Sequence, residues 1–371
     1  MTIQHILVTG KPEFLHRHRP LFEAMAHQFD QLEYLPIIDL PPCHPWQEKL
    51  QRQLQRLRQK LQRQTAPAYI DPLKTARVFV QRSRHTEQQI RQQSRQPDQV
   101  FHVFGMSSPF WNHPTVPYAM YLDYTMALAH QNWPDWAPFS SPKTYQRWLA
   151  CEQRTYQRAK QLFCMSHLVK RSLIADYRIP GDKITVVGSS GNFDHLYDGE
   201  KTFGRQQILF NGSDFWRKGG DRVLASFQQV RSVLPHATLV VIGAELPDVP
   251  EGVVNLGHVS SSDALKQLFL TSDVVVAPGR CDPFPTFLLE AMNYGVPCIV
   301  SAQDGMPEIV EHAISGIVLT RPTPETLAQE LIALLTETDR LQSLSEQARQ
   351  KIKMQLNWNT IAQTIAQVIR G

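Results

Sequence analysis

The stretch VVVAPGRCDPFPTFLLEAMNYGVPCIVS, residues 274–301, holds two carboxylates at a suggestive separation. Asp282 lies in a proline-stiffened loop after an apolar run, and Glu290 follows eight residues later inside FLLEAMNYG. Pro283 and Pro285 rigidify the loop, Thr286 is expected to cap the helix, and Gly295 to end it. Unpaired backbone N–H groups in the first turn of such a helix make an anion site. Glu290, in about the second turn, can then accept hydrogen bonds from neutral hydroxyls such as those of a ribose. Asp282 can do the same for a second hydroxyl-bearing group, so the two carboxylates would bracket a diphosphate. Spacing alone leaves a plainer reading equally open, with Glu290 meeting a nearby base and Asp282 capping a turn.

A second stretch, NGSDFWRKGGDRVL, supplies cations. Arg217 and Lys218 precede Gly219-Gly220 at the mouth of an expected helix, where both can meet phosphate oxygens. Asp123 ends the apolar run VPYAMYL, where a catalytic-face carboxylate would stand, although capping suits it as well. His102, inside VFHVFG, reads as a core histidine. His16 and His18 with Arg17 and Arg19 read as a solvated turn rather than an anion cluster. Glu308 in GMPEIV suits a helix start as well as a ligand contact, and the tryptophan-rich QNWPDWAPFSSPKTYQRW reads as a packed loop.

The elements that must position these residues alternate in type. HILVTG, EYLPIIDL, ARVFV, QVFHVFG, VPYAMYL and QLFCMS read as strands in the first half. ITVVGSS, QILFNG, ATLVVIG, VVNLGHV, DVVVAPG and PCIVSA follow in the second, with helical runs such as GGDRVLASFQQVRSVL between them. Near-continuous Val/Ile-rich strands alternating with helices predict buried parallel sheets. A chain of 371 residues exceeds one ordinary core. Two doubly wound α/β domains joined near residue 200 are therefore expected. The fingerprints GxGxxG and GxxxxGK[ST] are both absent, which argues against a dehydrogenase and an NTPase.

Composition narrows the class further. At 42% hydrophobic and 19% charged the chain reads as globular, and it lacks an apolar run long enough for a membrane span. MTIQHILVTG reads as a first strand rather than a signal peptide, so the cytoplasm is the expected compartment. Five cysteines without a CxxC pair indicate neither a disulfide framework nor a zinc site. The net charge of +4 hides an asymmetry: residues 45–97 carry 12 Lys or Arg against 3 Asp or Glu. There WQEKLQRQLQRLRQKLQRQ sets Leu50, Leu54, Leu57 and Leu61 at helical spacing among basic residues. A solvated helix is the plain reading, and peripheral contact with an anionic membrane, at its inner face, or with an anionic acceptor is the functional one. No aromatic platform accompanies the charge, so no nucleic-acid partner is expected.

FNGSDFWRKGGDRVLASF, LVVIGAE and the run from VNLGHVSSS through PFPTFLLEAMNYGVPCIVS to GMPEIV occur in an order that resembles the retaining glycosyltransferases of the GT-B fold, family 4. Upstream, AKQLFCMSHLVKRSL and ITVVGSSGNFDHLY resemble that family's approach to its hinge, whereas the first 140 residues match only in outline. The resemblance implies two Rossmann-like domains facing each other across a cleft. Residues 1–197 would form the acceptor-side domain, 198–355 the nucleotide-sugar domain, and 356–371 a helix crossing back. It implies that Lys218, helped by Arg217, holds the donor diphosphate, and that Glu290 holds the ribose. Asp282 stands where the family carries the first glutamate of its E-x7-E motif, and backbone groups near Pro285, Thr286 and Phe287 would face phosphate or sugar.

The implied activity is transfer of a sugar, with retention, from a nucleotide-diphosphate donor to a sugar, lipid-linked or small-molecule acceptor. Asp123 and Asp282 would be its catalytic carboxylates. No cofactor and no metal are expected, because no DxD pair follows a strand and the cations serve the leaving diphosphate. Four departures stand out: Asp282 in place of glutamate, Ser213 in place of a basic residue, Asp123 where many members carry histidine, and Gly10 alone where a glycine-rich turn is common. A catalytically decayed binding module and a GT-B sugar-nucleotide epimerase remain as alternatives.

Overall fold

The computed structural model describes residues 3–37, 71, 73–193 and 195–371. The leucine-striped part of the basic segment, residues 46–64, lies outside them. The described chain falls into two compact units. The first comprises residues 1–164, 169–185 and 366–371, and the second residues 165–168 and 186–365.

The first unit holds six strands: β1 His5–Gly10, β2 Gln31–Pro36, β3 Gln99–Val103, β4 Tyr118–Leu122, β5 Gln161–Cys164 and β6 Ile184–Val186. They lie in the order β2-β1-β3-β4-β5-β6. Residues of β1, β3 and β4 are buried throughout, as expected for central strands of a parallel sheet covered on both faces.

ARVFV is not a strand. It opens the helix Ala76–Arg91, because Thr75 accepts the N–H of Val78 at 3.3 Å and the apolar residues continue at helical spacing through Phe79 to Ile90. Hydroxyl caps start two further helices of this unit, Thr125 before Met126–Asn132 and Ser141 before Pro142–Arg158. The tryptophan-rich segment is packed but is not one loop: it runs into the helix Pro142–Arg158, where Trp148 is fully buried and meets the Phe79 ring edge-on at 5.2 Å.

The second unit contains β7 Gln207–Asn211, β8 Thr238–Ile242, β9 Val253–Gly257, β10 Val274–Ala277, β11 Cys298–Ser301 and β12 Gly316–Leu319. Their order is β12-β11-β10-β7-β8-β9, and every pairing is parallel. Counted from β7 this is the doubly wound order 3-2-1-4-5-6, which reverses between β7 and β10. The short β12 is a strand that the sequence reading did not separate from its neighbours. The helices Gly220–Val233 and Pro324–Thr336 pack together over one core with Phe210, Phe227, Leu327 and Leu331. In the last helix, Trp358–Arg370, residues to Ile365 belong to the second unit and Ala366 onward to the first.

Candidate functional site

The crevice where a doubly wound sheet reverses its strand order is the place that backbone geometry leaves open for a ligand. Here that place is a small pocket open to solvent. Asn211 at the end of β7 and Ala277 at the end of β10 form its floor, with Lys218, Asp282, Pro285 and Phe287 around it. Four residues singled out by type and spacing therefore converge on one cavity.

Its charges are paired. Lys218 Nζ donates to Asp282 Oδ2 at 3.0 Å, and Arg217 Nη1 lies 3.3 Å from the same oxygen. Arg217 is the more buried cation. Its Nε donates to Asp214 at 2.7 Å and its Nη1 to the carbonyl of Cys281 at 2.6 Å. Arg217 thus braces the two loops, while Lys218 faces the pocket. Asp282 is itself fixed, since its N–H donates to Asp304 Oδ2 at 2.7 Å.

The loop after β7 takes this shape because of Gly219. It has φ of +79°, and a Cβ there would stand 2.5 Å from the carbonyl oxygen of Pro278. Only glycine accepts both the left-handed backbone and the close approach. Arg280 then ties the loops with a bidentate pair to Asp221 at 2.7 and 2.8 Å and a bond from Nη1 to the carbonyl of Trp216.

The helix Thr286–Asn293 begins differently from expectation. Pro285 occupies the cap position and no side chain caps the helix, so Thr286 is its first residue and not its cap. Glu290, only 8% exposed, accepts the N–H of Asn192 at 3.0 Å. Burial pushes its carboxyl up to about 7, an effect that the Asn192 N–H opposes. Gly191 permits this approach, because a Cβ there would lie 2.7 Å from Glu290 Cγ. Glu290 opens onto a larger hollow of about 320 Å³, lined also by His195, Tyr197, Asp263, Lys266 and Tyr294. Asp282 and Glu290 thus line different hollows, both reached by the same helix.

Asp123 stands in the first unit, immediately past the carboxyl end of β4. Burial pushes its carboxyl up to about 6, against the N–H groups of Tyr124 and of its own residue and the charge of Arg17. His102 is a satisfied core residue: Thr9 Oγ1 lies 2.7 Å from Nδ1, and Nε2 lies 3.0 Å from the carbonyl of Ser107. A carbonyl only accepts, so Nε2 carries the proton and Nδ1 accepts from Thr9. His16, Arg17 and Arg19 are exposed, whereas His18 is buried against Phe104 and Tyr121. Glu308 does serve a helix start, accepting the N–H groups of His167 at 2.7 Å and Leu168 at 3.1 Å.

Reading by motif missed Asp214, Asp221, Arg280 and Asp304. Asp214 meets Arg217 three residues on, whereas Asp221 and Arg280 find each other across 59 residues and Asp304 meets the N–H of Asp282 across 22. Among the described residues no helix is long and apolar enough to cross a membrane.

Residues 198–351 match the family model for glycosyl transferases group 1. An uncharacterized glycosyltransferase of Methanocaldococcus jannaschii is 26% identical over 234 residues, 57% of this chain and 60% of that protein. A GDP-mannose-dependent alpha-(1-6)-phosphatidylinositol monomannoside mannosyltransferase of Mycobacterium tuberculosis is 27% identical over 173 residues, 42% of this chain and 45% of that protein. The chain thus spans about half the length of the curated relatives it matches. Among solved structures, Anabaena HepE in complex with UDP and glucose superposes with a TM-score of 0.65 at 15% identity, covering 99% of each chain. At that identity the likeness is one of fold, the GT-B type with two Rossmann-like sheets. Residues 198–351, the segment similar to the group 1 glycosyl transferases, contain the switch-point pocket, the loop that carries Asp282 and the helix that carries Glu290.

Proposed function

We propose that this protein transfers a sugar from a nucleotide-diphosphate donor to a hydroxyl of a sugar, lipid-linked or small-molecule acceptor, with retention and without a resident metal. The observation that carries the reading is the cluster of Lys218, Arg217 and Asp282 around the pocket between β7 and β10. A leaving diphosphate needs fixed positive charge as the bond from the sugar carbon to phosphate oxygen breaks. Lys218 offers that charge, braced by Arg217, and the uncapped start of Thr286–Asn293 adds backbone N–H groups. Glu290 holds hydroxyls of the nucleoside sugar in this reading, Asp282 orients the transferred sugar, and Asp123 serves the acceptor hydroxyl. Similar proteins support the donor class, one a GDP-mannose-dependent mannosyltransferase and one solved in complex with UDP and glucose.

The test is a panel of UDP- and GDP-sugars incubated with simple glycoside acceptors, followed by proton NMR of the anomeric signal. A product with the donor's configuration, lost in Lys218→Ala, is expected. An inverted product, or an isomerised donor without transfer, would overturn the reading in favour of another GT-B reaction.

A further inference from the structure

The rim of the pocket between β7 and β10 carries a side chain that the donor reading does not use. Asn211 and Lys218 both line that pocket, so residues 212–217 between them form part of its rim. Two adjacent aromatic residues there go to different places. Phe215 packs against the core, its ring edge-on to that of Phe210 at 6.3 Å. Trp216 turns outward with 46% of its surface exposed, the most exposed tryptophan among the described residues.

A single exposed apolar residue needs no explanation by itself. Trp216 differs because it is held still. The Arg280 guanidinium stands over the indole, 5.2 Å from its centroid, and is itself fixed by two bonds to Asp221 and one to the Trp216 carbonyl at 2.6 Å. That carbonyl also accepts the N–H of Gly219 at 3.1 Å. With arginine over one face, the exposed surface is largely the other face. Arg280 adjoins Gly279, which lines the pocket, and its N–H donates to the Arg217 carbonyl at 2.7 Å. The indole therefore stands where the two pocket loops are tied together, with little freedom left to lose on binding.

The charges beside it are matched internally. Arg280 pairs with Asp221, and Arg217 with Asp214 and Asp282. Such a rim suits a neutral, hydroxylated ligand better than an anionic membrane, which asks for unpaired basic residues and a wider apolar face. A pyranose fits this chemistry. Its C–H groups present an apolar face to an indole, while its hydroxyls stay in water or meet polar neighbours such as Ser213 and Asp214, exposed on the same loop.

We infer that Trp216 is a stacking platform for a sugar ring of the acceptor, which makes the acceptor a glycan or glycoside rather than a bare lipid alcohol. In the reading above the pocket holds the donor's diphosphate and transferred sugar, so the rim is left for the acceptor. The inference rests on that reading and adds the acceptor's chemical class. Trp216 determines specificity and takes no part in making or breaking bonds.

Indole-nitrogen NMR of full-length protein labelled at tryptophan tests it, with Trp216→Phe assigning the Trp216 signal. The probes are methyl glycosides of glucose, galactose, mannose and N-acetylglucosamine, and in separate samples octanol and phosphatidylglycerol vesicles. A saturable shift of the Trp216 signal with at least one glycoside is expected, and none with octanol or vesicles. With that glycoside as acceptor, Trp216→Ala is expected to raise KM about tenfold and Trp216→Tyr to stay close to the parent, with nucleotide affinity unchanged in both. No shift with any glycoside, a shift that octanol or vesicles match, or an unchanged acceptor KM in Trp216→Ala would overturn the inference. Binding of nucleoside diphosphates judges the donor site separately. If it is absent while the glycoside shift remains, the donor reading falls although the indole still binds sugar. If it is present and no glycoside moves the indole, the platform alone falls.

Discussion

Lys218 Nζ and Asp282 Oδ2 are 3.0 Å apart, joining the loop after β7 to the loop after β10. The carboxylate is one methylene shorter than the glutamate it replaces in the resembled family, and it stays beside its cations. Side chains of the pair keep only 17% and 15% of their exposure. Removing one member therefore leaves a poorly hydrated charge. Asp282→Asn is expected to lower stability by about 1–2 kcal/mol in urea unfolding, a value between exposed and fully buried pairs, and to reduce transfer at least tenfold. Unchanged stability would show that the pair forms no fixed brace.

Gly219 sets Lys218 in place through its left-handed backbone. Gly219→Ala forces a Cβ toward the Pro278 carbonyl at 2.5 Å. A loss of roughly 1–3 kcal/mol is expected, with weakened nucleotide binding because Lys218 moves with the loop. Differential scanning calorimetry and a binding titration check the two halves separately.

Glu290 makes a prediction about pH whose sign is fixed. Its folded carboxyl is raised to about 7 from an ordinary 4.5. Between those values the folded state holds the proton that the unfolded state has released. Stability from this group is therefore greatest at low pH and falls as pH rises through about 4.5 to 7. Glu290→Gln keeps an acceptor for the Asn192 N–H but carries no charge. It should match the parent near pH 5 and exceed it by roughly 2–3 kcal/mol at pH 8, while losing transfer. Urea midpoints at both pH values check this, and equal gains at both would contradict a buried, raised carboxyl.

Glu87 organises the loop that follows β3. Its carboxylate accepts N–H groups of Trp111 at 3.0 Å and Asn112 at 2.8 Å, and pairs with Arg91 at 2.7 Å. Glu87→Ala leaves these part-buried N–H groups without their acceptor and is expected to cost about 1–3 kcal/mol. Protease nicking near residues 108–114 would report the same release.

Most of the fold was legible because buried parallel strands are apolar whatever their neighbours. ARVFV misled for that reason: five residues rich in Val and Phe carry no period, and the Thr75 cap lies just outside them. The pocket was legible where chemistry is local, as in Lys218, Pro285 and Phe287. Thr286 read as a cap because hydroxyl residues often are, yet Pro285 takes that position and leaves the first turn bare. The bond from Asn192 to Glu290 joins residues 98 apart in the chain, and no local pattern encodes it.

If Lys218 and Glu290 belong to a nucleotide site, a thermal-shift panel of nucleoside diphosphates reports it. A ligand at about 100 times its Kd stabilises the fold by roughly 2.7 kcal/mol. A shift with one base is expected, independent of magnesium, that disappears in Lys218→Ala and weakens in Glu290→Gln. No shift with any nucleoside diphosphate, or a shift that survives in Lys218→Ala, would contradict it.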